Sequence, residues 1–288
     1  MPGTDSPSPN FMSVHSPLTY SDIDWSLLWK NARKRKSWPG KKEEDWDKDA
    51  RSFADRNTES PYASMVISRL PLDKTMTVLD IGSGPGTLAL PLAEHVSSIT
   101  AVDYSDQMIK ILSERAGHNN FANIQALKAS WEDNWDALGI CVHDLVIASR
   151  SLSVEDLAGA LKKIHKYAGK FACVIDRIAP SPFDPEAFKL IGRPFDSGPD
   201  YIYTLNILYG MGIHPSVDIL ELERDLIFPN RENALEIYTW MFKDLSKNEI
   251  AKLDEYLSSR IIESDTNHVV IRRKFPPRWA MIRWEKTD

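Results

Sequence analysis

The hydrophobic pattern changes character near residue 61. Before it, residues 20–56 are charged and aromatic, with Trp25, Trp29, Trp38 and Trp46. Trp25 and Trp29 stand at i and i+4 and share one face of a helix. Pro39-Gly40 divides this stretch into two helices. After residue 61 a helix is predicted over 63–70. Short β-branched runs then alternate with helical periods. Strands are predicted over 77–81, 98–102, 124–127, 144–148 and 170–175, and helices over 87–95, 106–115 and 154–167. Such alternation predicts an α/β fold, a doubly wound parallel sheet covered on both faces. Beyond Asp176 the rhythm loosens. The proline-rich run at 179–185 cannot be strand or helix interior, so residues to about 200 read as an insertion near the active-site mouth. A helix is expected over 201–211, late strands over 217–222 and 279–284, and helical segments over 231–244 and 247–260. The last two read as a second insertion or lid, near 231–265.

The domain reading follows. Residues 1–19, rich in Ser and Pro, read as a flexible tail. Residues 20–60 form a helical cap, and 61–288 one α/β domain carrying both insertions. A length of 288 residues fits one such core with additions.

Composition narrows the classes. The net charge of −6 argues against a nucleic-acid partner held by overall charge. The basic run 30–36 is followed at once by Glu43-Glu44-Asp45, and a solvated helix end is the preferred reading over a nucleic-acid patch. No apolar stretch approaches the ~20 residues of a membrane span. The tail lacks the apolar region of a secretory signal. Two cysteines, Cys141 and Cys173, have no ligand spacing and read as small core residues in a reducing compartment. No metal site is expected. Together these point to the cytoplasm.

The chemistry concentrates at Asp80-Ile81-Gly82-Ser83-Gly84-Pro85-Gly86, directly after a strand and opening a helix. Glycine there lets the backbone approach a ligand that a Cβ would block. A dinucleotide fingerprint would need glycine or alanine where Thr87 stands, and a P-loop would need Gly-Lys-Ser/Thr. Asp80 decides: a carboxylate ahead of the loop repels a pyrophosphate and suits a cation. The next strand ends at Asp103, about 20 residues past the loop, the spacing at which an acid meets a ribose diol. The third strand leads into Ser130-Trp131-Glu132, where an adenine edge would lie. The fourth ends in Ser149-Arg150-Ser151.

Residues 78–132 resemble the class I S-adenosylmethionine-dependent methyltransferases, and within them the type 11 set that includes ubiquinone/menaquinone-type small-molecule enzymes. Asp80 through Gly86 matches the family's first motif. Val102-Asp103-Tyr104-Ser105-x-x-Met108 matches its second, and Trp46-Asp47-x-x-Ala50 is similar to a segment folded over the cofactor. The resemblance spans roughly residues 46–175. It implies S-adenosylmethionine as cofactor, with an ammonium and a sulfonium but no phosphate, and S-adenosylhomocysteine as product. The cofactor residues it implies are Asp80, Gly82, Ser83, Gly84, Asp103, Tyr104, Met108, Ser130, Trp131 and Ser149. One departure is Ser130, standing where the family has an acid for the adenine amine.

The expected reaction is in-line displacement at the sulfonium methyl group by a small-molecule acceptor. Alternatives are an RNA or protein methyltransferase, a nicotinamide-dependent oxidoreductase and a non-catalytic cofactor-binding regulator. No general base stands out. His15 and His214 lie in segments able to reach the site, and His214 is the candidate. Arg150 faces the substrate or the methionine end, with either a ligand carboxylate or a structural salt bridge as its partner. Tyr201, Tyr203, Tyr209 and Trp240 are candidates for an apolar acceptor pocket, with core packing as the alternative.

Overall fold

The computed structural model describes residues 19–38, 40–57, 61–266 and 268–287. The expected tail, apart from Thr19, and His15 lie outside the described residues, as does Pro39. Helices α1 (Trp25–Arg35) and α2 (Glu43–Asn57) precede α3 (Tyr62–Ile67). The α/β alternation then runs β1 (Thr77–Ile81), α4 (Ala89–Leu92), β2 (Ser98–Asp103), α5 (Asp106–His118), β3 (Ile124–Lys128), β4 (His143–Ser149), α6 (Leu157–Tyr167) and β5 (Ala168–Arg177). After it come α7 (Pro185–Ile191), α8 (Tyr201–Gly210), β6 (Ser216–Glu221), β7 (Asp225–Phe228), α9 (Arg231–Thr239), α10 (Lys247–Arg260), β8 (Ile261–Ser264), β9 (Val269–Arg272) and β10 (Arg278–Glu285).

Seven strands form the main sheet in the order β3-β2-β1-β4-β5-β10-β6. The first five run parallel, and β10 pairs antiparallel with both β5 and β6. The order reverses between β1 and β4, the switch point at which open α/β sheets bind ligands beyond the carboxyl ends of their strands. Alternate residues of each strand face opposite layers. Leu79, Val146 and Val174 pack with α6, α8 and Trp29. Val78, Ile147 and Cys173 pack with α3, α4 and Trp279.

Helix α4 is shorter than the predicted 87–95, because Pro91 brings no amide donor and the chain continues in turns. Cys173 is buried as expected; Cys141 is exposed, a correction to its core reading. Among the described residues no helix is long and apolar enough to cross a membrane.

The largest departure lies after β5. The two insertions are one packed unit, with a second sheet in the order β7-β9-β8. Its core joins Phe183, Phe188 and Ile191 of the first insertion to Tyr238, Phe242 and Leu253 of the second and to Ile271 of β9 beyond it. Asp184 fastens the two. Its Oδ1 accepts the Glu186 amide at the start of α7, and its Oδ2 accepts the Tyr256 hydroxyl at 2.8 Å. Proline at the first turn of α7 is compatible with a helix, since that amide has no intrahelical acceptor.

Candidate functional site

The loop after β1 is held in shape from both sides. Gly82, Gly84 and Gly86 all have positive φ, the left-handed region that costs other residues strain. At Gly82 a Cβ would stand 2.3 Å from the Ser151 Cβ. Ser151 in turn donates to the Ile81 carbonyl at 2.8 Å, so the ends of β1 and β4 are locked together. The amides of Gly82 and Ser83 both donate to the Val102 carbonyl at the end of β2. There the Asp103 carboxylate accepts the Gly84 amide on Oδ2 and the Ser105 amide on Oδ1, each at 2.9 Å. The Tyr104 amide also bonds to this carboxylate, which still keeps acceptor capacity beyond the three amides. Burial is the main cause that raises the Asp103 carboxyl above the usual carboxylate range.

Asp80 is more extreme. Its side chain is 1% exposed. The Ala89 amide donates to it, but Oδ2 is buried without a hydrogen-bond partner. Burial, and then the charge on Asp103, push its carboxyl up to about 7. Ser83 Oγ, in the loop that follows, is likewise buried without a partner. Polar groups left unpaired inside a protein are costly, and buried ones nearly always find partners. A ligand offering a cation and hydrogen-bond donors would satisfy both.

The surroundings close over this point. Helix α2 lies against α5, burying Ala50, Ala54, Met108 and Ile111 together. Asp47 accepts the Ser105 hydroxyl at 2.5 Å and the Gln107 amide at 3.2 Å. The position of a Gly84 Cβ would be 3.9 Å from Phe53 and 4.0 Å from the Met108 sulfur. Tyr104 is half-buried, its hydroxyl pushed up to about 12 by burial and then by Asp103 and the acids of α2. Tyr62 and Ser149 share a 2.6 Å hydrogen bond. Arg150, with φ of 58°, lays its guanidinium 4.3 Å over the Tyr62 ring and 5.5 Å from the Trp279 ring. Among the described residues it makes no ion pair. After β3, Ser130 is turned inward: its amide and hydroxyl engage Asp133 and its carbonyl accepts from Trp135. The Trp131 indole donates to the Ser151 carbonyl at 3.3 Å.

The structure therefore brings Asp80, Gly82, Ser83, Gly84, Asp103, Tyr104 and Met108 to one loop, with Ser149 beside it and Trp131 tied to the segment after β4. It does not bring His214 there. That imidazole precedes β6, four strands from β1 in the sheet order, about 19 Å at the usual strand spacing of ~4.8 Å. It packs 5.2 Å from the Tyr209 ring. Tyr203 packs between Trp25 and Trp29, a core role; Trp240 is 42% exposed against Phe183. The sequence reading missed Tyr62, Asp176, Arg177 and Lys36. Asp176 and Arg177 end β5, where ligands gather in such sheets, and a charged pair closing an apolar strand was the available signal. Burial pushes the Asp176 carboxyl up to about 6; it accepts the Thr204 hydroxyl at 3.1 Å. The basic run 30–36 is exposed as expected at Lys30, Lys34 and Arg35, while Arg33 and Lys36 are half-buried. Arg33 donates to the Ser153 carbonyl, Arg35 pairs with Asp196, and Lys36 sits 3.7 Å over the Trp38 ring.

A parallel 3-2-1-4-5 sheet with an antiparallel addition, a glycine loop after β1 and acids ending β1 and β2 define the class I methyltransferase architecture. The comparisons agree. A methyltransferase-domain family model matches residues 78–169. An uncharacterised protein of Haemophilus influenzae is 30% identical over 242 residues, covering 83% of this chain and 88% of that protein. Among solved structures, a Bacillus halodurans protein assigned as a methyltransferase matches with a TM-score of 0.54 and 14% identity, over 78% of this chain and 99% of its own. The YcgJ protein of Bacillus subtilis matches at 0.52 and 16%, over 78% and 98%. At such identities these two speak for the fold alone. The chain is a class I S-adenosylmethionine-dependent methyltransferase, and it belongs to one family with the Haemophilus protein.

Proposed function

We propose that the cofactor is held by Asp80, Gly82, Ser83, Gly84, Asp103, Tyr104, Met108, Ser130, Trp131 and Ser149, and that the methyl group goes to a small-molecule acceptor. The observation that carries the cofactor half is the buried Asp80 Oδ2 without a partner, together with the equally unpartnered Ser83 Oγ of the glycine loop. A carboxylate there receives the ammonium of the methionine end. Asp103, fixed by three amides, receives the ribose hydroxyls with the acceptor capacity it has left. Met108 and Trp131 flank the adenine. When bound, S-adenosylmethionine supplies a sulfonium methyl group open to in-line displacement. The protein's task is then positioning, which can be equivalent to about 10⁵–10⁸ M of reactant, and exclusion of water. Helix α2, held to α5 through Asp47, covers the cofactor side.

The small-molecule reading is supported by the wall above β5. It is assembled from the fused insertions and the segment between α1 and α2, which dock through Ser37 on Asp196 and the Trp38 indole on the Ser197 carbonyl. Such a wall suits a compact acceptor better than a long polymer, and the net charge of −6 argues the same way. The test is calorimetric titration with S-adenosylhomocysteine, repeated on Asp103→Ala, followed by label transfer from S-adenosylmethionine to a small-molecule panel. Binding in the wild type that is lost in the variant supports the cofactor site. RNA binding with a steep salt dependence, together with labelled RNA, would overturn the acceptor class.

A further inference from the structure

We propose that the methyl acceptor carries an anionic oxygen group, which Lys36 and Arg177 hold beside the Trp38 indole. This rests on the reading of the acceptor as a small molecule bound above β5. Arg177 is the last residue of β5, two past Ile175, whose carbonyl accepts the Arg150 amide and so joins this corner to the end of β4. The Arg177 side chain is buried, the residue only 9% exposed, yet among the described residues it makes no ion pair. Its Nη2 donates to the Pro199 carbonyl, and its Nη1 is buried with no hydrogen-bond partner among the described residues. Guanidinium is a planar donor fork matched to carboxylate and phosphate, so an unspent donor of this kind points to an oxyanion.

Lys36 supplies the second cation. It is half-buried, and among the described residues no carboxylate stands within ion-pair distance of it. Burial, and then the charges of Arg33 and Arg177, bring its ammonium down to about 8. Like charges gathered in a partly buried site disfavour one another, and an anion between them would reverse that. The acids nearest Arg177 are already committed. Asp176 accepts the Arg177 amide and the Thr204 hydroxyl. Asp196 pairs with Arg35 and accepts the Gly198 amide. Asp200 caps α8.

The loop closing this corner is built around the two cations. Gly198 has a φ of 69°, and a Cβ on it would stand 2.8 Å from the Lys36 Cβ and 3.3 Å from the Arg177 Nη2. The aromatic wall gives the acceptor its second feature. The Trp38 ring lies 3.7 Å from Lys36 Nζ and 5.3 Å from Arg177 Cζ, and Phe183 packs between Trp38 and the exposed Trp240. Flat apolar faces beside paired cations suit a ring bearing an acid group.

The probes are benzoate, phenyl phosphate and neutral benzamide, titrated by tryptophan fluorescence and calorimetry into protein loaded with S-adenosylhomocysteine. At least one of the two acids is expected to bind saturably while benzamide does not, and the stronger one distinguishes carboxylate from phosphate. Lys36→Gln should weaken that acid by about tenfold or more, with Lys36→Arg restoring most of it and S-adenosylhomocysteine affinity held within about twofold. Lys36 is half-exposed, so its variants report even where Arg177→Gln fails to fold. Benzamide binding as tightly as benzoate, neither acid binding, or an acid affinity indifferent to Lys36→Gln would each overturn the proposal. Loss of S-adenosylhomocysteine binding in the wild type would instead overturn the cofactor reading.

Discussion

The two halves of the cleft are built on different principles. The half over β1 and β2 is local: residues 80–108 supply the glycine turn, both acids and the capping serine, and backbone amides hold each in place. The half over β5 draws on residues 33–38, 176–200 and 240, far apart in the chain and joined by side-chain contacts. The first half is the proposed seat of a ligand of fixed chemistry, and its left-handed positions at Gly82, Gly84 and Gly86 favour glycine. The second is a composite wall whose parts can vary without disturbing the sheet beneath. Cofactor binding and acceptor choice should therefore separate under mutation.

The largest effect is expected at Gly82. Gly82→Ala meets the anchored Ser151 and a left-handed backbone together, so a loss of about 3 kcal/mol or more is expected in denaturant unfolding. An unfolding free energy equal to the wild type would show that the lock between β1 and β4 is not structural. Next is Asp103→Ala, which removes the acceptor of three amides and of the proposed ribose contact. Charge-assisted hydrogen bonds of about 1.5–3 kcal/mol predict roughly 10–150-fold weaker S-adenosylhomocysteine binding by calorimetry.

Asp80 sharpens the comparison through pH. Its carboxyl, raised to about 7 by burial and then by Asp103, is neutral below that pH in the ligand-free protein. Taking up an ammonium requires the carboxylate, so binding releases a proton. Affinity should be flat from about pH 7 to 8 and fall by up to about tenfold per unit below pH 7. Asp80→Asn should abolish that slope; the same slope in the variant would assign it elsewhere. For the other half, Asp184→Asn is expected to cost about 1–3 kcal/mol in the stability of the insertion unit by weakening its hold on Tyr256. S-adenosylhomocysteine affinity should stay unchanged, and a parallel loss of both would show the halves to be coupled. The smallest effect is expected at Trp240→Ala, which should alter stability by less than about 0.5 kcal/mol, as for an exposed site. It should weaken acceptor binding while sparing the cofactor.

The strand Thr77–Ile81 and helix Lys247–Arg260 stand where the hydrophobic period places them. Both are framed by strong local signals, the glycine loop in one case and the Ser246–Glu249 capping box in the other. The second sheet was not legible, because β7, β8 and β9 have four residues each, too short for a period to show. Helix α7 was hidden behind the prolines before it. His214 was misjudged for a different reason: its distance from the loop follows from strand order, which no local signal near residue 214 reveals.

The proposed cofactor loop and its two acids were readable along the chain alone, because a tight turn, a strand end and a helix cap are set by neighbours within a few residues. It took the folded chain to put the two insertions into one core, Arg150 onto aromatic rings, and Lys36 and Arg177 against the same Trp38 ring. Those contacts join segments distant in the chain, and they form when buried apolar surface brings them together rather than through any preference of the residues that touch.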